Sequence, residues 1–314
     1  MMLRPNPNPN PNPATNNSGI AARRFRAMGC HASVSITADD PELASRLADR
    51  AVRRIAHLER CWTRFDDASD LSAINRAAGG TVMVDPSTIT LVTMMILAHR
   101  ATDGACDPAH RSASPRGSRE IESIRVDAAR HLVRVPSGLE LDPGSIGKGL
   151  AADLVARQAI ESGARGALVE IGGDMRATGV GPHHGLWAIA VEDPYGDVRR
   201  RGSILVREAG ISTSGLATTL EVDGPENVSV DPVSGRPLVV APANVVSATV
   251  VAGSAVEAEM WSTALLVVGD ADLNPVVRRG YLARVTLGNG DTRSTDDWNR
   301  IFSPDDSSRE VAHV

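Results

Sequence analysis

Aromatic side chains make up only 3 % of the 314 residues, too few to build the stacking platforms that single-stranded nucleic acids use. Runs of like charge are also missing. With 33 Lys and Arg against 38 Asp and Glu, the formal charge is −5, which argues against nucleic acid or an anionic membrane as the main partner. No apolar run reaches membrane-spanning length, so no membrane insertion is expected. The start, Met-Met-Leu-Arg followed by Pro-Asn repeats, has neither an apolar core nor a small-residue cleavage pattern. The expectation is a cytoplasmic chain. Cysteine is scarce: Cys30, Cys61 and Cys106 are odd in number and lack metal-ligand spacing, so neither a disulfide framework nor a zinc site is indicated. Buried small side chains in a reducing compartment are expected.

What is present suffices for one large domain or two intimately packed ones, with a sizeable core. Residues 1–22, with Pro5, Pro7, Pro9, Pro11 and Pro13, bury almost nothing and read as a disordered or polyproline-like tail. Folded sequence is expected from Phe25, in a domain over 23–297, with a polar tail over 298–314. His31 to Thr37 alternates as a half-buried strand. Leu43, Leu47, Ala51, Ile55, Leu58 and Trp62 recur every three or four residues, which predicts a helix from Pro41 to Trp62. Thr63 to Asn75 reads as turns, Thr81 to Val84 as a short strand, and Pro86 to Gly104 as a helix. Strands are expected at 124–126, 131–135, 186–191, 203–206, 218–222, 228–230, 245–251 and 281–287. Helices are expected at about 147–163 and 270–280, and another opens at Ser254 with Glu257 three residues on, a capping box. Helices mix with antiparallel strands without a βαβ rhythm, so the class is α+β.

The chain is organised around Leu139 to Asp153, L-E-L-D-P-G-S-I-G-K-G-L-A-A-D. Gly144, Gly147 and Gly149 bracket Lys148 where an apolar run gives way to a helix. Such a helix start offers unpaired N–H groups and positive dipole to an anion, phosphate foremost. The spacing is neither a Walker A loop nor a Rossmann fingerprint. A plain strand-to-helix turn uses the same residues.

A second candidate lies in E-A-E-M-W-S-T-A-L, where Glu259, Ser262 and Thr263 share one helical face. A carboxylate and two hydroxyls are hard donors suited to Mg²⁺ rather than zinc. The same residue types also serve helix dipoles and back-bonds to helix carbonyls. Gly172-Gly173-Asp174 and Ser212-Thr213-Ser214-Gly215 read as turns dense in donors, as does the turn beginning at Asp231.

Taken in order, these segments resemble the ApbE-type FAD:protein FMN transferase family over about Phe25 to Gly288. The matching pieces are A-M-G-C at Ala27–Cys30, R-F-D-D-A-S-D-L-S at Arg64–Ser72, G-A-C-D-P at Gly104–Pro108 and D-P-G-S-I-G-K-G at Asp142–Gly149. E-I-G-G-D at Glu170–Asp174, S-T-S-G at Ser212–Gly215, D-P-V-S-G-R-P at Asp231–Pro237 and E-A-E-M-W-S-T-A-L at Glu257–Leu265 complete the set. The resemblance implies a T-fold-like architecture of antiparallel sheets flanked by helices. It implies transfer of FMN from FAD to a threonine hydroxyl of an acceptor flavoprotein, releasing AMP, with Mg²⁺ required. Carried over by position, flavin contacts fall at Met28, Phe65, Ala105, Cys106, Asp107, Asp142, Lys148 and Val230. Metal contacts fall at Ser145, through its carbonyl, and at Glu259, Ser262 and Thr263. Lys148 and Asp231 are the implied catalytic residues. The family is often extracytoplasmic.

The chain departs from the family pattern at Glu259, where Asp is usual, and at Val228, where His is usual. The segment after Gly215, Leu216-Ala217-Thr218, also lacks the usual aromatics. A non-catalytic FAD-binding protein and an FAD pyrophosphatase yielding FMN and AMP are the alternative readings.

Overall fold

A computed structural model describes residues 19–110, 120–196, 201–216, 238, 241 and 243–304. The first strand, β1 (Gly19–Ala27), starts ahead of Phe25 and pairs antiparallel with β2 (Cys30–Ala38). Met28 and Gly29, both with positive φ, turn the hairpin between them.

Helix α1 (Pro41–Trp62) occupies the range its stripe predicts. Asp40 caps it by accepting from the N–H groups of Glu42 and Leu43, and Pro41 opens it. Its apolar face, from Ala44 through Leu47, Ala51, Ile55 and Leu58 to Trp62, is buried. The stretch read as turns contains a further helix, α2 (Asp70–Arg76), begun where Ser69 Oγ accepts from Ser72 N. A serine cap three residues ahead of a serine is a weak sequence signal, and the helix is only two turns long. Strand β3 (Thr81–Met83) is followed by α3 (Pro86–Ala101), capped by Asp85, then by β4 (Arg125–Asp127) and β5 (Leu132–Arg134). These three strands form a small sheet in the order β3-β5-β4.

The remaining elements are α4 (Gly147–Glu161), β6 (Gly166–Ile171), β7 (Asp174–Gly179), β8 (Trp187–Val191), β9 (Gly202–Val206), β10 (Ala209–Gly215) and β11 (Val245–Ala252). They are followed by α5 (Ala255–Val268), α6 (Asn274–Val277), β12 (Leu282–Leu287), β13 (Thr292–Ser294) and β14 (Phe302–Pro304). Eight strands build the main sheet in the order β1-β2-β6-β7-β10-β11-β12-β13, every pair antiparallel. The class is α+β, as expected.

One face of that sheet carries α1, α4 and α5, which share a core with β2, β6 and β11. The other face is covered by a three-stranded sheet, β14-β9-β8, over a second core of Leu168, Ala177, Ile211, Trp187, Ile204 and Trp298. Trp298 and β14 therefore belong to a packed layer, and the chain remains ordered beyond residue 298 through 304. The helix expected over 270–280 contracts to Asn274–Val277. Asp270 and Asp272 accept backbone bonds two residues on, and Ala271 takes positive φ, so the approach is a pair of turns. The strands expected at 218–222 and 228–230 lie outside the described residues. Among those residues no helix is long and apolar enough to cross a membrane.

Candidate active site

Helices α4 and α5 begin side by side on the same face of the main sheet, and their close approach has a chemical cause. A Cβ at Gly149 would sit 2.5 Å from the Ala255 carbonyl oxygen, so only glycine permits the contact. Asp153, one turn along α4, accepts from the N–H groups of Ala255 and Val256, both at 2.9 Å, and caps α5 from outside. Ser254 completes the cap, with its Oγ donating to Glu257 Oε2 at 2.7 Å.

One turn into α5, Glu259 reaches back. Its Oε2 accepts the Gly149 N–H at 2.7 Å and its Oε1 meets Lys148 Nζ at 2.9 Å. A carboxylate of the protein itself thus meets the start of α4. Lys148 also bonds Asp174 Oδ2 at the head of β7. Gly172 and Gly173, both at positive φ, form the tight turn that delivers Asp174, and the Lys148 chain runs beside Gly172. Burial and the Asp174 charge push the Glu259 carboxyl up, and Lys148 holds it back. Burial alone would lower Lys148, but the two carboxylates outweigh it and raise the ammonium.

A chain of hydroxyls extends from this triad. Ser212 and Ser214 lie on one face of β10, since strand side chains alternate. Ser212 Oγ donates to Asp174 and lies 2.9 Å from Ser262 Oγ; Ser214 Oγ lies 2.8 Å from Ser262 Oγ and 3.3 Å from Thr263 Oγ1. The S-T-S-G segment is therefore strand rather than loop. Ser262 also makes the back-bond to a helix carbonyl, Glu259 O at 3.1 Å, so its hydroxyl has three partners and no exposure. Cys106 Sγ faces the Met260 carbonyl at 3.4 Å and the Ser145 carbonyl at 3.9 Å, tying the loop before α4 to α5. Burial pushes the Cys106 thiol up to about 12. Cys30 and Cys61 are only half-buried, in contrast to the expectation for all three.

Asp142 anchors the other side of the loop. Its N–H donates to the Pro108 carbonyl at 2.7 Å, its Oδ1 accepts from Gly144 N at 2.8 Å, and Arg64 Nε approaches Oδ2 at 3.3 Å. The Arg64 guanidinium lies 4.0 Å over the Phe65 ring, which is 71 % exposed. Met28 N donates to Glu59 Oε1 at 2.7 Å, in the turn beside Cys30; the next residue, His31, accepts the Gly172 N–H through its carbonyl. Eleven of the thirteen candidate residues lie among the described residues; Val230 and Asp231 lie outside them, as does Val228.

The model of the ApbE family matches residues 28–284. The chain belongs to the ApbE family. Similar proteins include an FAD:protein FMN transferase of Salmonella typhimurium, 29 % identical over 84 % of this chain and 78 % of that protein. One from Escherichia coli is 26 % identical over 91 % and 82 %. Among solved structures, the ApbE protein of Thermotoga maritima superposes with a TM-score of 0.74 at 25 % identity, covering 90 % of this chain and 99 % of that one. The apo flavinyl transferase ApbE of Pseudomonas stutzeri shares the fold at a TM-score of 0.72 and 24 % identity, covering 91 % and 97 %.

Within this ApbE-family chain, Asp174, Ser212, Ser214 and Arg64 are site neighbours that sequence reasoning did not assign. The signals were present, since Asp174 closes E-I-G-G-D and the two serines alternate in S-T-S-G, but a lone turn and a hydroxyl-rich run carry no contact partner. The donor set around Glu259 consists of carboxylate, hydroxyl and carbonyl oxygens. The Cys106 thiol beside it is kept protonated by burial. That chemistry fits a hard divalent ion such as Mg²⁺ and does not fit zinc.

Proposed function

We propose that this chain transfers the FMN moiety of FAD to a threonine hydroxyl of an acceptor protein, with Mg²⁺ as cofactor and AMP as leaving group. The observation that carries the reading is the meeting of Glu259 with the Gly144–Gly149 turn, joined through Lys148 and Asp174 to the hydroxyls of β10 and α5. The family and the names of the relatives support the flavin chemistry.

The threonine oxygen forms a bond to the FMN phosphorus, the bond from that phosphorus to the bridging oxygen breaks, and AMP leaves with the electron pair. The hydroxyl proton passes to solvent or to a base in the segment around Asp231. Phosphoryl transfer depends on positioning and charge neutralisation more than on covalent participation. Glu259, Thr263 and the Ser145 carbonyl would hold the ion, with Ser262 setting the position of Ser214 and Thr263. Magnesium, when bound, supplies neutralisation of pyrophosphate charge and polarisation of the phosphorus. Lys148 bridges the buried carboxyl groups of Asp174 and Glu259. The Phe65 face beside Arg64 offers an exposed ring for the isoalloxazine to stack on.

Incubation with FAD and Mg²⁺, with and without a threonine-containing acceptor peptide, tests the reading. Flavinylated peptide is the expected product. Free FMN plus AMP would make the chain an FAD pyrophosphatase, and FAD recovered unchanged would make it a flavin-binding protein.

A further inference from the structure

Away from the Lys148–Glu259 cluster, the end of α1 meets the start of α3. His57 and Cys61, four residues apart, share one face of α1, and Asp85 caps α3 opposite them. His57 Nε2 lies 3.0 Å from Asp85 Oδ2 and 3.7 Å from Cys61 Sγ. All three ligand atoms lie within 4.8 Å of one another, the one such grouping of His, Cys and acidic residues among the described residues. The Asp85 carboxylate is anchored on its far side, where Oδ1 accepts from Ser87 N at 2.8 Å and from Ser87 Oγ. The Asp85 N–H in turn donates to Asp70 Oδ2 at 2.8 Å, which also accepts from Thr88 Oγ1. One carboxylate oxygen is therefore fixed and the other is left facing the histidine.

Cysteine, histidine and aspartate occur together in two chemistries. A nucleophilic relay needs the thiol and the carboxylate on opposite ring nitrogens, so that one nitrogen takes the proton while the other is held. Here both groups face Nε2, which excludes the relay. A tetrahedral zinc ion, with bonds of about 2.3 Å to sulfur, about 2.0 Å to nitrogen and about 2.1 Å to oxygen, sets its sulfur and nitrogen ligands about 3.6 Å apart and its nitrogen and oxygen ligands about 3.4 Å apart. The observed 3.7 and 3.0 Å require shifts of only a few tenths of an ångström.

We propose that His57, Cys61 and Asp85 form a second metal site, for a borderline divalent ion of which Zn²⁺ is the type. A thiolate and an imidazole select such an ion over Mg²⁺. The His57 and Asp85 side chains are 35 % and 27 % exposed, leaving the fourth position open to water. Ser87 supplies the outer hydrogen bonds that orient the carboxylate, and Asp70 holds the Asp85 backbone. Bound there, the ion ties the last turn of α1 to the first turn of α3, three residues before Arg64. Burial, with the Asp70 and Asp85 charges, pushes the Cys61 thiol up to about 11, against the opposing pull of Arg54 and Arg60. The free thiol is thus a poor nucleophile at neutral pH, a further contrast with a catalytic triad. Cysteine spacing gave no sign of the site because two of its three ligands are not cysteine.

The test uses the full chain, stripped with a chelator, in excess Mg²⁺ to block oxygen-only sites, and titrated with Zn²⁺ alone or Co²⁺ alone. The expected result is a single zinc retained through gel filtration and a cobalt spectrum with a thiolate-to-metal charge-transfer band. Both should vanish in Cys61→Ala and persist in Cys30→Ser, and His57→Ala should weaken zinc binding by at least about 10–100-fold. Circular dichroism of Cys61→Ala checks that the fold is kept, and in a misfolded variant the His57→Ala result decides. A cobalt spectrum without the thiolate band, a band surviving in Cys61→Ala, or no zinc retained by the wild type would overturn the proposal.

Discussion

The carboxylate of Glu259 accepts the backbone N–H of Gly149 at 2.7 Å, across 110 residues of sequence. One hydrogen bond thereby fixes the starts of α4 and α5 to each other and puts a negative group where the α4 dipole is positive.

That junction has no room for a side chain at Gly149. Gly149→Ala would drive a methyl to 2.5 Å from the Ala255 carbonyl, so the helix starts must part. A loss of ~1–3 kcal/mol is expected in urea unfolding, as for other overpacked sites, together with weaker FAD binding. Unchanged stability would mean that the junction is looser than the contacts imply.

Removing the cation at the centre should make stability depend on pH. Burial and Asp174 raise the Glu259 carboxyl above its ordinary 4.5, and Lys148 opposes that rise. A carboxyl raised on folding holds its proton where the unfolded chain has lost it. Its stabilising contribution is complete below the unfolded value and fades as pH climbs through the folded one. Lys148→Met leaves the two buried carboxylates without their cation and raises Glu259 further. The variant should be nearly as stable as wild type near pH 5 and ~3–5 kcal/mol less stable near pH 8. A deficit independent of pH would show that Lys148 contributes packing alone.

Asp153 supplies the α5 cap from another helix. Asp153→Ala should cost ~1–2 kcal/mol, the size of a lost helix cap, in thermal or urea unfolding. No loss would mean that Ser254 suffices.

Cys106 should resist thiol reagents in the folded protein. Burial pushes its thiol up to about 12, and the carbonyls of Met260 and Ser145 engage it. Mass spectrometry after brief alkylation should find Cys106 unmodified until denaturant is added. Rapid native labelling would contradict the packing between the loop and α5.

Much of this was legible in the chain. The α1 stripe reads directly because one side of that helix faces solvent, and the α+β class follows from mixed periodicities. The α5 face of Glu259, Ser262 and Thr263 reads from spacing alone. What it faces does not, because Asp174, Ser212 and Ser214 arrive from strands whose neighbours are fixed only by sheet order. The segment from Trp298 reads only as a polar tail because its strand is three residues long and pairs with β9, about a hundred residues away. The helix expected over 270–280 is shortened because an aspartate pair that closes turns also resembles a helix start.

The most direct test of the account is the intact mass of a threonine-containing acceptor after incubation with FAD and Mg²⁺, using wild type and Glu259→Gln side by side. The account predicts that wild type adds the mass of FMN to the acceptor, that chelation abolishes the addition, and that Glu259→Gln slows it at least ~100-fold while remaining folded. FMN transfer by Glu259→Gln at the wild-type rate, or by wild type in the presence of chelator, would contradict it.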